Sequence, residues 1–247
     1  MSLSLKPYLR SISLKRDAVP SFAEYLFDIP AISSLETIEF HPDVTFFVGE
    51  NGSGKSTLIE AFALALGFSP EGGTKNVRLE TSQTTSTLHE YLKIVKSFAS
   101  PKDNYFLRAE SFFNVATYMD STGVLKAFDN KPIHARSHGE AFLAVLTQKL
   151  RGNGLYIFDE PEAALSPTRQ LAALSRIHQL VKNGSQFIIA THSPILLAYP
   201  NARILKLDEQ GSKEVDYEDT DHYAVTKDFL NNRERMLGYL LADEEGQ

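Results

Sequence analysis

The residues best suited to chemistry lie in Gly49-Glu50-Asn51-Gly52-Ser53-Gly54-Lys55-Ser56-Thr57, which fits G-x-x-x-x-G-K-[ST]. Glycines let the backbone curl until consecutive N–H groups converge on an anion, and a helix N-terminus adds partial positive charge there. The spacing predicts that Glu50 through Thr57 bind the phosphates of ATP. Within it Lys55 reaches the β- and γ-phosphates and the Ser56 hydroxyl ligates Mg²⁺. A second group follows about a hundred residues on, where Leu155-Tyr156-Ile157-Phe158 delivers Asp159 and Glu160. An acid at the end of a buried strand costs desolvation unless a cation or hydrogen bonds compensate it. Asp159 is therefore expected to hold Mg²⁺, and Glu160 to orient and polarise an attacking water.

Elements able to position these groups are legible around them. Val44–Val48 reads as a buried strand before the loop, with a helix over about 56–66 after it. Further strands are expected at 105–109, 155–158, 187–190 and 203–207. A helix over 167–182 has Ser166 as N-cap, Pro167 in its first turn and Asn183-Gly184 as its stop. Strands alternating with helices predict an α/β fold, a mainly parallel sheet flanked by helices. The first 42 residues read as an N-terminal antiparallel β lobe, with strands near 9–16 and 35–40. Leu88, Tyr91, Leu92 and Val95 fall on one helical face, so residues 68–136 are expected to form a small, partly helical inserted subdomain within a single domain spanning 1–247. Residues 223–241 predict one amphipathic helix with Phe229, Leu230, Leu237 and Leu240 inward, followed by a solvated acidic tail at 243–245.

Composition bounds the rest. The 247 residues contain no cysteine, which excludes disulfides, thiolate metal sites and cysteine nucleophiles. Residues 1–20 lack the apolar core of a secretory signal, and no apolar run approaches the roughly 18 residues needed to cross a bilayer. A cytoplasmic protein without direct membrane insertion is expected. The net charge of −6 counts against gripping duplex DNA over the whole surface, though a local basic groove stays open.

Further segments carry a family resemblance. Glu162-Ala163-Ala164-Leu165-Ser166 resembles a D-loop, and Ile189-Ala190-Thr191-His192-Ser193-Pro194 resembles a switch-histidine loop. Arg136-Ser137-His138-Gly139-Glu140 begins 23 residues before Asp159 and resembles a degenerate L-S-G-G-Q/E signature. Together with the P-loop these motifs are similar to the ABC ATPase superfamily, closest to its RecF/SMC-like branch but without long coiled-coil arms. The resemblance covers about Val44 to Leu207. It implies a P-loop NTPase sheet core of ABC ATPase type and an ATP-dependent, head-to-tail homodimer with two ATP molecules between the protomers. It also implies that Lys55, Glu160 and His192 act in catalysis, and that Ser137 and Gly139 touch the γ-phosphate across the interface. His138 stands at a usual signature glycine, and Ser166 where many D-loops carry aspartate. The Q-loop glutamine is absent; Glu110, after the 105–109 strand, is the candidate Mg²⁺ or water contact in its place. An aromatic upstream of the P-loop, Phe22 or Tyr25, is a candidate to stack on adenine. A switch or DNA-maintenance ATPase with an unidentified protein or DNA partner is expected; the alternative is the ATP-binding subunit of an ABC transporter.

Overall fold

The computed structural model describes residues 6–75, 86–112, 115 and 137–242. Its centre is a six-stranded sheet in the order β5-β6-β7-β3-β8-β9: Asp103–Arg108, Gly154–Asp159, Gln186–Ala190, Val44–Val48, Arg203–Asp208 and Gly211–Glu214. The first five are parallel, and β9 closes the edge as the antiparallel arm of a hairpin from β8. Strands β3, β6 and β7 are buried along their whole lengths, as a parallel sheet covered on both faces requires.

Alternate side chains of these strands feed two cores. Phe46, Val48, Tyr156, Phe158, Phe187 and Ile189 face the helices Pro167–Lys182 and His138–Ala144. Phe47, Leu155, Ile157, Ile188 and Ala190 face the helix Lys55–Ala65. Over that helix lies a three-stranded antiparallel sheet, β2-β1-β4, made of Thr37–Glu39, Leu9–Leu14 and Leu92–Lys96. Buried Gln186 ties the lobe to the sheet, donating to the carbonyls of Leu9 and His41 and accepting the Leu9 N–H at 2.9 Å.

Two sequence expectations are corrected. Leu88 to Val95 do not form a helix: a 3₁₀ turn over Thr87–Tyr91 leads into strand β4, which pairs with β1. The helical spacing arose because Leu88 and Leu92 both reach the core from a turn and a strand, while Val95 is exposed. The C-terminal segment is two helices, Asp221–Asn231 and Arg233–Leu240, broken at Asn232. There the asparagine side chain donates to the Asp228 side-chain Oδ1 at 2.6 Å. Leu230 and Leu240 are exposed rather than inward. Much of the stretch expected as an inserted helical subdomain, 76–85 and most of 113–136, lies outside the described residues, as do Arg136 and the acidic tail.

Candidate active site

The parallel register brings the carboxyl ends of the central strands together. Arg108 pairs with Asp159, Asp159 with Ala190, and Phe47 with Ala190. Ligands of open α/β sheets bind at this edge. The β7 strand, which leads into Thr191-His192, lies between the phosphate-loop strand β3 and the acidic strand β6.

After Val48 the chain turns through Gly49, where a Cβ would sit 2.4 Å from the Leu207 carbonyl oxygen on β8. No side chain fits there. The loop ends at Gly54, whose φ of 93° starts the helix Lys55–Ala65 in a left-handed conformation natural to glycine. Lys55 is buried and its Nζ donates to the carbonyls of Gly49 (2.9 Å) and Glu50 (2.8 Å). Burial lowers its pKa, opposed by the charges of Glu160, Asp159 and Glu162. The Ser53 hydroxyl is buried with no hydrogen-bond partner among the described residues. Beside the loop, along Glu50–Ser53, opens a cavity of about 510 Å³ walled by Pro30, Lys206, Asp208 and Lys213.

Ser56 and Asp159, 103 residues apart in sequence, meet here: the Ser56 hydroxyl donates to Asp159 Oδ1 at 3.1 Å. Burial pushes the Asp159 carboxyl up to about 6, against the lowering effects of the Ser56 hydrogen bond and the Arg108 charge. Among the described residues no three acidic or imidazole side chains cluster as a self-contained metal site. One hydroxyl and one desolvated carboxylate suit Mg²⁺, which retains water and takes phosphate oxygens for its remaining positions.

Glu160 follows at a φ of 50°, a left-handed conformation uncommon for glutamate, and its N–H donates to the Ala190 carbonyl at 3.0 Å. Its Oε1 lies 3.5 Å from His192 Nε2, which is buried and has no hydrogen-bond partner among the described residues. The loop carrying His192 is pinned by Glu162, whose carboxylate accepts from Thr191 Oγ1 at 2.7 Å and from the His192 N–H. Ser193 caps the following turn and donates to Gln170 Oε1 at 2.5 Å.

Ser137 and Gly139 are on the sheet face opposite the P-loop helix, because the helix His138–Ala144 packs into the core of Phe158 and the helix Pro167–Lys182. Ser137 is exposed at the helix N-cap, its N–H donating to Glu140 Oε2 at 2.9 Å and its hydroxyl accepting from Arg169 Nη1 at 3.2 Å. A Cβ on Gly139 would lie 2.7 Å from the Ala164 carbonyl, so this glycine lets the helix close on the segment after Glu160. Glu110 is exposed, 3.5 Å from Arg108 Nη2. Phe22 carries the Arg16 guanidinium on its ring, and Tyr25 is exposed.

Sequence reasoning missed Arg108, Glu60, the pinning contacts of Glu162, and His222. Arg108 Nη1 reaches Glu60 Oε2 on the P-loop helix at 2.7 Å. The signal was present, a cation closing an apolar strand in register with the acidic one, but only the paired strands reveal it. His222 belongs to none of the sequence motifs; its Nε2 lies 2.8 Å from His192 Nδ1.

The AAA domain family model matches residues 28–235. The chain belongs to the AAA domain family. It is an AAA-domain ATPase, with ATP hydrolysis as its reaction. Over 206 residues this AAA-domain protein is 25% identical to an ABC transporter ATP-binding protein of Caldanaerobacter subterraneus subsp. tengcongensis, covering 74% of the chain and 85% of the relative. Among solved structures it is similar to the SMC head domain from Thermotoga maritima, at 15% identity and a TM-score of 0.46, covering 85% of this chain and 98% of that one. A nucleotide-free ATP-binding cassette from an ABC transporter matches at 16% identity and a TM-score of 0.49, covering 94% and 98%.

The buried Asp159 of this ATPase predicts a stability effect. A carboxyl with its native pKa raised above the unfolded value keeps its proton longer in the folded state. Stability therefore falls as pH rises from the ordinary carboxylate range to about 6, and the full penalty is present above that. Asp159→Asn removes a cost of at most about 3 kcal/mol at neutral pH. Calorimetry should show a melting temperature several degrees higher for the nucleotide-free variant, while its Mg²⁺-dependent ATP binding is lost.

Proposed function

We propose that this ATPase hydrolyses Mg-ATP between two head-to-tail copies of the chain and uses the closure of that dimer as a switch, working in the cytoplasm on an unidentified protein or DNA partner. The observation that carries the catalytic reading is the meeting of Ser56 and Asp159 beneath the phosphate loop, with Glu160 and His192 3.5 Å apart at its rim.

Each residue then has a role. The backbone N–H groups of Glu50 to Thr57 and the Lys55 ammonium hold the phosphates, with Lys55 exchanging its loop carbonyls for phosphate oxygens. Ser56 and Asp159 hold Mg²⁺, which supplies charge neutralisation at the β- and γ-phosphates. Glu160 accepts a proton from water as the water oxygen bonds the γ-phosphorus and the bond to the bridging oxygen of ADP breaks. The products are ADP and inorganic phosphate. His192 Nε2, buried and without a hydrogen-bond partner among the described residues, donates to the γ-phosphate. Glu110, exposed beside Arg108, is assigned at most a water-mediated contact to Mg²⁺.

The dimer is supported by the placement of Ser137 and Gly139. Both sit on the face away from their own P-loop helix; the exposed Ser137 N-cap is available to the ATP of a second copy, while Gly139 is buried against the Ala164 carbonyl and lets the helix close there. The name of the 25% identical relative favours a second reading, the ATP-binding subunit of a transporter. No helix among the described residues is long and apolar enough to cross a membrane, so that reading requires a membrane-embedded partner.

Light scattering of Glu160→Gln with and without Mg-ATP tests the dimer. The expected shift is from 27.5 kDa to about twice that mass, and only with nucleotide. A protein that binds ATP yet stays at the monomer mass contradicts the self-sandwich.

A further inference from the structure

The helix Asp221–Asn231 sends one side chain into the site. It is anchored by buried Thr220, which donates to the Tyr217 carbonyl at 2.7 Å and caps the Tyr223 N–H. Asp221 adds an ion pair to Lys206 at 2.6 Å. Between these anchors His222 turns inward, its ring 4.9 Å from that of His192, centroid to centroid.

The Nε2 of His222 and the Nδ1 of His192 are 2.8 Å apart, so one hydrogen lies between them. If His192 supplied it, the lone pair on its Nε2 would face the Glu160 carboxylate at 3.5 Å. If His222 supplies it, His192 carries its hydrogen on Nε2, opposite an anionic oxygen. The second arrangement is electrostatically preferred, and the hydrogen bond on one ring nitrogen then sets the state of the other. The remaining nitrogen, His222 Nδ1, is buried without a hydrogen-bond partner among the described residues and serves as the unused acceptor of a neutral ring. Burial first, then the charges of Lys55 and Lys206, lower the His222 pKa against the opposing charge of Asp221, which favours the neutral ring this geometry needs.

We propose that His222 is a positioning residue for hydrolysis: its Nε2–H holds His192 in the tautomer whose Nε2–H faces Glu160 and the γ-phosphate. The catalytic consequence rests on the reading of His192 given above; the tautomer does not. The γ-phosphate side of the site is thereby joined to a helix that lies outside every motif of the phosphate loop.

The test is long-range ¹H–¹⁵N spectroscopy of the full chain without nucleotide, with His192→Ala to assign the signals, alongside steady-state hydrolysis. Wild type should show His192 protonated on Nε2 alone. His222→Phe should give a tautomer mixture at His192 and a kcat lower by roughly tenfold, the scale of losing an orienting partner, with KM for ATP within about twofold. His222→Gln, whose amide can donate, should recover most of both. Nδ1-protonated His192 in wild type, or an unchanged tautomer in folded His222→Phe, overturns the proposal. A tautomer that follows His222 while kcat stays constant supports the positioning and overturns the catalytic role of His192.

Discussion

Phosphate release from saturating Mg-ATP should fall by about 10²–10³-fold on Glu160→Gln, the usual cost of removing a general base. The substitution keeps size and shape, and the backbone contact that aims this residue, its N–H to the Ala190 carbonyl, is untouched. The amide can orient water but cannot take its proton. Asp159, Ser56 and Lys55 keep their contacts, so ATP affinity should stay within a few-fold of wild type. Stopped-flow phosphate detection beside a fluorescent-nucleotide titration separates the two quantities. A variant hydrolysing at the wild-type rate would remove Glu160 from the chemistry.

The second large effect concerns binding. Lys55→Ala should weaken ATP affinity by about 10²–10³-fold, since truncating one partner of a desolvated charge contact costs on the order of 2–5 kcal/mol. The fold should survive. Without nucleotide Lys55 bears a desolvation cost, visible in its lowered pKa, and its two acceptors are carbonyls of a loop partly open to solvent. Calorimetric titration with Mg-ATP and a thermal melt on the same preparation check both halves. Tight ATP binding by folded Lys55→Ala would place the phosphates elsewhere.

These two residues were legible because each lies in a contiguous segment with a distinctive context. Gly54-Lys55-Ser56 joins a buried strand to a helix, and Asp159-Glu160 ends another; both lie where the apolar runs put them. What escaped the sequence joins segments far apart along the chain. Glu162 meets Thr191 across 29 positions and His222 meets His192 across 30, and no local pattern marks either pair. Arg108 acquires its meaning only from its register with Asp159 and its reach to Glu60. Periodicity misled at Leu88–Val95, where a turn followed by a strand reproduced helical spacing. It misled again at Asn232, where a side chain–side chain hydrogen bond accompanies the break in a helix whose apolar pattern continues.

The nucleotide that Glu160→Gln retains after exposure to Mg-ATP decides whether this residue is the base. The folded variant is incubated with Mg-ATP, freed of unbound nucleotide by gel filtration and denatured, and the released nucleotide is identified by chromatography. The variant should yield ATP, close to one per chain, where wild type yields ADP. Recovery of ADP from the variant to the extent seen in wild type would show that the proton of the attacking water goes elsewhere, and would contradict the assignment of Glu160.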